Sequence, residues 1–214
     1  SPFVMQFTES ILNICFNVSL KTYGGDTAVG VMTVLSSVMQ FALLPIIGMT
    51  QGSQPIVSYN YGAGKTDRVR QAFKSLLKAS VIYAAALWAL TMLFPQMFMG
   101  MFTTDARYIA MGAWSMRVYT AAICVMGLQY ACQQTFVALG NAKTSLWLAL
   151  LRKVFLLIPL IFILPHILKE RQVFAVFLAE PLADVTAAAT TSILFFRYLK
   201  KIIGGKTQEA AHGA

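Results

Sequence analysis

The stretch "YNYGAGKTDRVR" (59–70) carries Gly64, Lys65 and Thr66, the tail of a phosphate-cradling loop. Whether it is one decides between a nucleotide-binding α/β fold and something else. A Walker-type loop needs another glycine five residues before the Gly-Lys-Thr glycine, with a strand behind and a helix ahead, so that backbone amides curl around the phosphates. Tyr59 stands at that place. The preceding run, "FALLPIIGMTQGSQPIVS" (41–58), is long and apolar but broken by two prolines and two glycines. Proline cannot donate to a sheet ladder, so this is a poor central strand and a phosphate loop is not supported.

Composition points to a bilayer. Hydrophobic residues make up 57% of the chain and charged residues 12%, against about 25% charge in a soluble domain. Several segments reach the ~20 apolar residues of a membrane span, and none alternates polar with apolar as barrel strands do. The expectation is an all-α, polytopic membrane protein. The net charge of +9 is spread in clusters at the ends of apolar segments, which reads as topology and not as a nucleic-acid surface. Cys15, Cys124 and Cys132 lie inside apolar runs, and the last two are eight residues apart on one helix, too far to bridge. No disulfide framework or metal motif follows. The first apolar segment lacks a basic flank and contains Glu9, unlike a cleavable signal peptide. The chain opens at Ser1 almost inside a helix, so further residues are expected upstream.

Apolar length places helices near 3–21, 28–58, 67–94, 106–137, 144–168 and 173–199, bounded by Gly, Pro or charge clusters. Residues 1–203 form one six-helix lobe on this reading, and 204–214 a disordered cytoplasmic tail. The second helix is too long for one straight span, and Pro45, Gly48, Gly52 and Pro55 are places where it can bend or unwind. Lysine and arginine accumulate on the side that does not cross the membrane during insertion. Lys65, Arg68, Arg70, Lys74, Lys78, Lys143, Arg152, Lys153, Arg197, Lys200, Lys201 and Lys206 fall on one side, and Lys21, Arg107, Lys169 and Arg171 on the other. Twelve against four puts both ends in the cytoplasm. The opening stretch then becomes a cytoplasmic connector. Its glycines make a tight turn, Asp67 suits a helix N-terminus, and its cations either face anionic headgroups or serve only as a topology anchor.

A charge placed mid-span costs on the order of 3 kcal/mol, so such residues line a cavity, find a partner or perform work. Four stand out: Glu9, Arg117, Glu180 and Asp184. On helix one, Gln6, Glu9, Asn13 and Asn17 recur at steps of three and four along one face. A carboxylate flanked by amide oxygens suits Na⁺ or a held proton; a hydrogen-bond network joining helices is the alternative. Helix six reads "FLAEPLADVTAAATT" (177–191), with Glu180 and Asp184 on one face and Pro181 between them freeing a carbonyl one turn earlier. This is either a cation or proton site, or a pair neutralised by Arg117 or loop cations. Arg117 itself either pairs with a buried acid or touches substrate. Glu9, Asn13, Glu180 and Asp184 are thus the coupling candidates, and Gln6, Asn17, Gln40, Arg117, Gln129 and Gln133 the candidates for a substrate cleft. The methionines and aromatics are mostly core or lipid-facing, though thioethers and rings can line an adaptable pocket. No nucleophile has a base at useful spacing, so an enzyme is not supported.

With these elements placed, "GMTQGSQPIVSYNYGAGKTDRVRQAF" (48–73) resembles the signature of the second half of multidrug and toxic compound extrusion (MATE) transporters, through Gln54, Pro55, Tyr59, Asn60, Tyr61, Gly62 and Arg68. "FVALGNAKTSLWLALLRKVFLLIPLIFILP" (136–165) resembles the loop and helix that follow in that family, and "AEPLADV" (179–185) extends the likeness over nearly the whole chain. The resemblance implies one six-helix lobe of a twelve-helix transporter of the plasma (inner) membrane. Such a transporter exports organic cations or amphipathic drugs in exchange for Na⁺ or H⁺, and its partners are drug-like substrates, membrane lipid and its own N-terminal lobe. No cofactor other than the coupling ion is implied. In one subgroup a glutamate on the first helix of the second lobe binds the ion, a place Glu9 matches. An aspartate on the fourth helix assists there, where this chain has Arg117 and glutamines. A lipid-linked sugar flippase of the same superfamily, or a structural membrane module, are the other readings.

Overall fold

The computed structural model describes the backbone of residues 2–212 and the side chains of residues 6–201. Among the described residues there is no strand. Helix α1 runs Pro2–Gly62 in two arms that meet at a kink at Gly25 (φ 66°). It is followed by α2 (Thr66–Leu93), α3 (Pro95–Gly100), α4 (Ala106–Tyr119), α5 (Ile123–Ala138), α6 (Ala142–Leu150), a π-helical turn (Leu151–Leu157), α7 (Ile158–Ile167) and α8 (Gln172–His212). Among the described residues α1, α2, the continuous stretch Ala142–Ile167 and α8 are four helices long and apolar enough to cross a bilayer, and the pair α4 and α5, bent by 47°, makes a fifth if it is one span; the kink at Gly25 divides the first of them into two arms. The expected tail over 204–214 falls outside the described side chains.

Several breaks differ from the sequence expectation. Helical backbone continues through Pro45, Gly48, Gly52 and Pro55, and the non-helical residue of α1 is Gly25. The fourth span, read as one helix over 106–137, is interrupted at Thr120. There the hydroxyl bonds back to the Met116 carbonyl (2.8 Å) and reaches the Thr91 hydroxyl, a pattern that bends helices. The next amides shift to bonds three residues back, Ala121 to Val118 and Ile123 to Thr120. The short helix α3 was not anticipated; Pro95 starts it, where a missing N–H costs nothing.

The opening stretch ends a helix. The Lys65 N–H bonds the Asn60 carbonyl (2.9 Å) and the Gly64 N–H bonds that of Tyr61 (3.1 Å), with Gly64 at φ 72°. This is a Schellman cap, which needs the left-handed backbone that glycine adopts freely. The same pair of bonds recurs after α5, Asn141 to Phe136 and Gly140 to Val137, with Gly140 at φ 83°. Both caps turn the chain tightly between antiparallel spans.

Inside the lobe α5 packs on α1, α2 and α8. The helices bury two apolar cores stacked along the lobe. One gathers Leu12, Phe16, Leu35, Met116, Ile123, Leu157, Ile161 and Phe177; the other gathers Val57, Phe73, Leu76, Cys132, Phe136, Leu148 and Phe195. On α8 the cores stop at Ala183 and resume at Phe195, and on the fifth span they leave the gap between Leu148 and Leu157. Asp184, Thr191 and Arg152, all buried, lie in those gaps. The outer surface is apolar, with Phe7, Ile14, Phe41, Ile56, Trp147, Phe155 and Ile193 exposed. A bilayer solvates such a surface; water would make it an aggregation site.

The tightest approach of a glycine to another helix's backbone is at Gly127, where an added Cβ would stand 2.4 Å from the Ser80 carbonyl oxygen. Gly127→Ala is therefore expected to destabilise the lobe by about 1–3 kcal/mol, read as a lowered midpoint in thermal unfolding in detergent. Gly48→Ala, whose Cβ would meet nothing within 4 Å, is expected to be neutral or mildly stabilising.

Candidate functional site

The site is organised by the π-helical turn of the fifth span. Pro159 has no N–H to donate, and its ring crowds the carbonyl four residues back, so α-helical pairing cannot pass through it. The Ile158 N–H bonds the Lys153 carbonyl five residues earlier, and the helix widens locally. Such bulges recur at functional sites because they re-aim side chains. Here Arg152 points to α8 and Lys153 to α1. Arg152 lies about 15 Å along the helix axis from Ala142 at 1.5 Å per residue, near the middle of a ~30 Å hydrocarbon layer.

Glu180 and Asp184 stand one turn apart on α8, and Pro181 between them leaves the Phe177 carbonyl without its helical donor. Arg152 fills the space in front of both acids. Its Nε donates to Asp184 Oδ1 at 2.6 Å, and its Nη2 lies 2.5 Å from Asp184 Oδ1 and 3.2 Å from Glu180 Oε1. The Asp184 side chain is 2% exposed. Lys153, 14% exposed, donates to Glu9 Oε1 on α1, whose side chain is 47% exposed. Tyr130 lies against the guanidinium. Three carboxylates face two cations, so the network carries a net charge of −1 when every group is ionised.

A cavity of about 410 Å³ opens beside this network. Glu9, Asn13, Gln6, Lys153, Arg152 and Glu180 give it a polar wall; Leu12, Phe16, Met32, Met39, Leu43, Leu44, Ile47, Met126 and Leu157 give it an apolar one, with Gln40, Ser36, Tyr119 and Tyr130 between. Another hollow, of about 450 Å³ and more open, lies against Tyr23, Trp114, Lys169 and Arg171 near the α7–α8 turn. Its cations are exposed and solvated.

Residues 2–163 match the MatE family model. The chain belongs to the MATE family. It is 24% identical over 194 residues to Multidrug export protein MepA of Staphylococcus aureus (strain NCTC 8325 / PS 47), covering 90% of this chain and 42% of that protein. It superimposes with TM-score 0.80 and 34% identity on the MATE multidrug transporter DinF-BH, solved in complex with a ligand, over 94% of this chain and 44% of that one. A MATE crystal structure in the bent conformation matches in fold with TM-score 0.88 at 18% identity, over 95% of this chain and 44% of that one. The chain thus spans less than half the length of the relatives it matches. Its family and its apolar helices make it a multi-pass membrane protein.

Within this MATE lobe the structure sorts the sequence candidates. Gln6, Glu9, Asn13, Gln40 and Glu180 share the cavity, while Asp184 sits behind it as a partner of Arg152. Asn17, one turn beyond Asn13, is exposed and outside the lining. Arg117, expected mid-depth beside an acid or substrate, is exposed, and its Nε donates to the Met92 carbonyl at 3.1 Å; it neutralises neither acid on α8. Gln129 is buried without lining the cavity, and Gln133 donates to the Ser145 carbonyl at 3.3 Å. Of the connector residues, Tyr59 and Arg68 are exposed, and Asn60 bonds the Ile56 carbonyl. Gln54, Pro55, Tyr61 and Gly62 belong to the last turns of α1.

The largest correction concerns Arg152 and Lys153, counted in the sequence reading as cytoplasmic topology charges. The helix containing them begins at Ala142, where Asn141 accepts from the Thr144 N–H, so both lie about three turns inside the span. The usable signal was their depth within the expected helix 144–168, together with Pro159. Replacing Arg152 by Met is expected to destabilise the lobe by about 3–5 kcal/mol, because two buried carboxylates lose their counterion. Adding Glu180→Gln and Asp184→Asn to that variant should restore much of the loss in thermal unfolding.

Proposed function

We propose that this chain is one lobe of a secondary active multidrug exporter, which exchanges organic cations or amphipathic drugs for Na⁺ or H⁺ by alternating access. The observation that carries the reading is the charge balance of the ionic network beside the cavity. A network of three acids and two bases is one positive charge short, and an uncompensated charge in hydrocarbon is costly. A cation entering the cavity supplies what is missing. Glu9 and Asn13, neighbours on one helical face, present carboxylate and amide oxygens of the kind that hold Na⁺, and the carboxylate can equally take a proton. The methionine and leucine wall suits amphipathic bodies of varied shape. That relatives include a multidrug export protein and a MATE multidrug transporter solved in complex with a ligand fits this substrate class.

Coupling requires that ion and drug favour different states of the molecule. In this reading the missing surface of the cleft is an N-terminal lobe, lipid surrounds the rest, and the two lobes rock about the cavity. With Arg152 and Lys153 assigned to the interior, the loop cations still favour one side by ten to four, so both ends of the segment are cytoplasmic.

A flippase for lipid-linked sugars is the second reading, drawing on Arg152 and Lys153 as diphosphate ligands. Both cations are already held by carboxylates, which favours export. Glu9→Gln in the full-length protein is expected to abolish gradient-driven efflux from proteoliposomes while leaving the folded yield nearly unchanged. Transport at the wild-type rate removes Glu9 from the mechanism.

A further inference from the structure

The two ion pairs of the fifth span differ in kind. Arg152 is buried and held by two acids on α8, with contacts of 2.5 to 3.2 Å. Lys153 holds one acid, Glu9, whose side chain is about half exposed to the cavity. The first pair is a clamp. The second can be opened by anything in the cavity that competes for Glu9. Lys153 is also within electrostatic reach of Glu180 and Asp184, on a flexible four-carbon stem with three rotatable donors.

Charge arithmetic gives this arrangement a direction. With Lys153 on Glu9, that pair is neutral and the group Arg152, Glu180 and Asp184 carries −1. A cation on Glu9 that releases Lys153 to the α8 acids leaves both groups neutral. We propose that Lys153 is a tethered cation which occupies Glu9 until a transported cation displaces it and which then moves to the Glu180 and Asp184 carboxylates. Lys153 carries the occupancy of a site on α1 to α8. It also sets specificity: a ligand must bring enough positive charge to compete with an ammonium already in place, so neutral amphipaths leave the pair closed.

This inference rests on the reading of Glu9 as a cation site, and the test separates the two. Binding of radiolabelled tetraphenylphosphonium to the purified full-length protein is measured by equilibrium dialysis for wild type, Lys153→Met, Lys153→Gln, Glu9→Gln and the double variant Lys153→Met/Glu9→Gln. Removing the competing ammonium is expected to tighten binding by about ten-fold or more in both Lys153 variants. The gain should vanish in the double variant, which binds as weakly as Glu9→Gln alone. Lys153→Gln keeps an amide donor toward Glu9 and guards against loss of fold in the methionine variant. If Glu9→Gln weakens binding but neither Lys153 variant tightens it, the tethered cation is overturned and the Glu9 site stands. If Glu9→Gln binds like wild type, the reading of Glu9 fails, and this inference with it. Equal weakening by Lys153→Met with and without Glu9 identifies the lysine as packing glue and overturns the proposal. So does failure of wild type and Lys153 variants alike to bind the probe.

Discussion

The cost of holding charge in hydrocarbon governs this lobe. Arg152, Glu180 and Asp184 are buried where water screens them poorly, and Lys153 and Glu9 extend the network to the cavity, so each buried group must be met by an opposite charge or by a hydrogen bond. Arg152 meets this demand for α8 and Lys153 for α1. Around them the rest of the fold is conventional, with apolar faces inward and apolar residues outward to lipid. The ionic layer joins the first, fifth and sixth spans, three elements far apart in sequence, and fixes their register along the lobe.

That layer depends on a backbone irregularity. Consecutive residues of a regular helix diverge by a fixed angle, and Pro159 disturbs that regularity by denying the helix one of its bonds. The π-helical turn that results carries the two basic residues into separate contacts. Pro181 on α8 likewise removes one helical donor beside Glu180 and Asp184, although α8 stays α-helical through it. On the fifth span the proline stands about two turns beyond the two cations, and on α8 it stands between the two acids. A helix surrounded by lipid tolerates such breaks only where neighbouring protein satisfies the freed groups.

The asymmetry of burial between the two ion pairs links packing to function. Asp184 is buried behind the cavity and Arg152, largely buried at its edge, ties the fifth span to α8. Glu9 opens on the cavity with about half of its side chain exposed, which makes the α1 acid the accessible member of the network. Membership of the MATE family places this cavity in a lobe shared with multidrug transporters of about twice its length, and the mixture of methionine, leucine and carboxylate along its wall accords with that setting.

Composition and apolar length alone determined the all-helical membrane fold class, because burial in a bilayer constrains every residue of a span and therefore leaves a long, redundant signal. The connector over 59–70 was equally legible: a glycine at the position that closes a Schellman cap is a local feature, set within six residues. The polar stripe Gln6, Glu9 and Asn13 was readable because helical periodicity places it on one face, and Glu180 and Asp184 for the same reason. Their partners were not readable. Arg152 and Lys153 look in the sequence like any basic pair near a loop, and Arg117 looks like the better counterion, since each is judged by its neighbours in the chain. Only the packing of the fifth span against α1 and α8 decided which cation meets which acid, because Coulomb attraction acts through space at a few ångströms and is indifferent to separation along the chain.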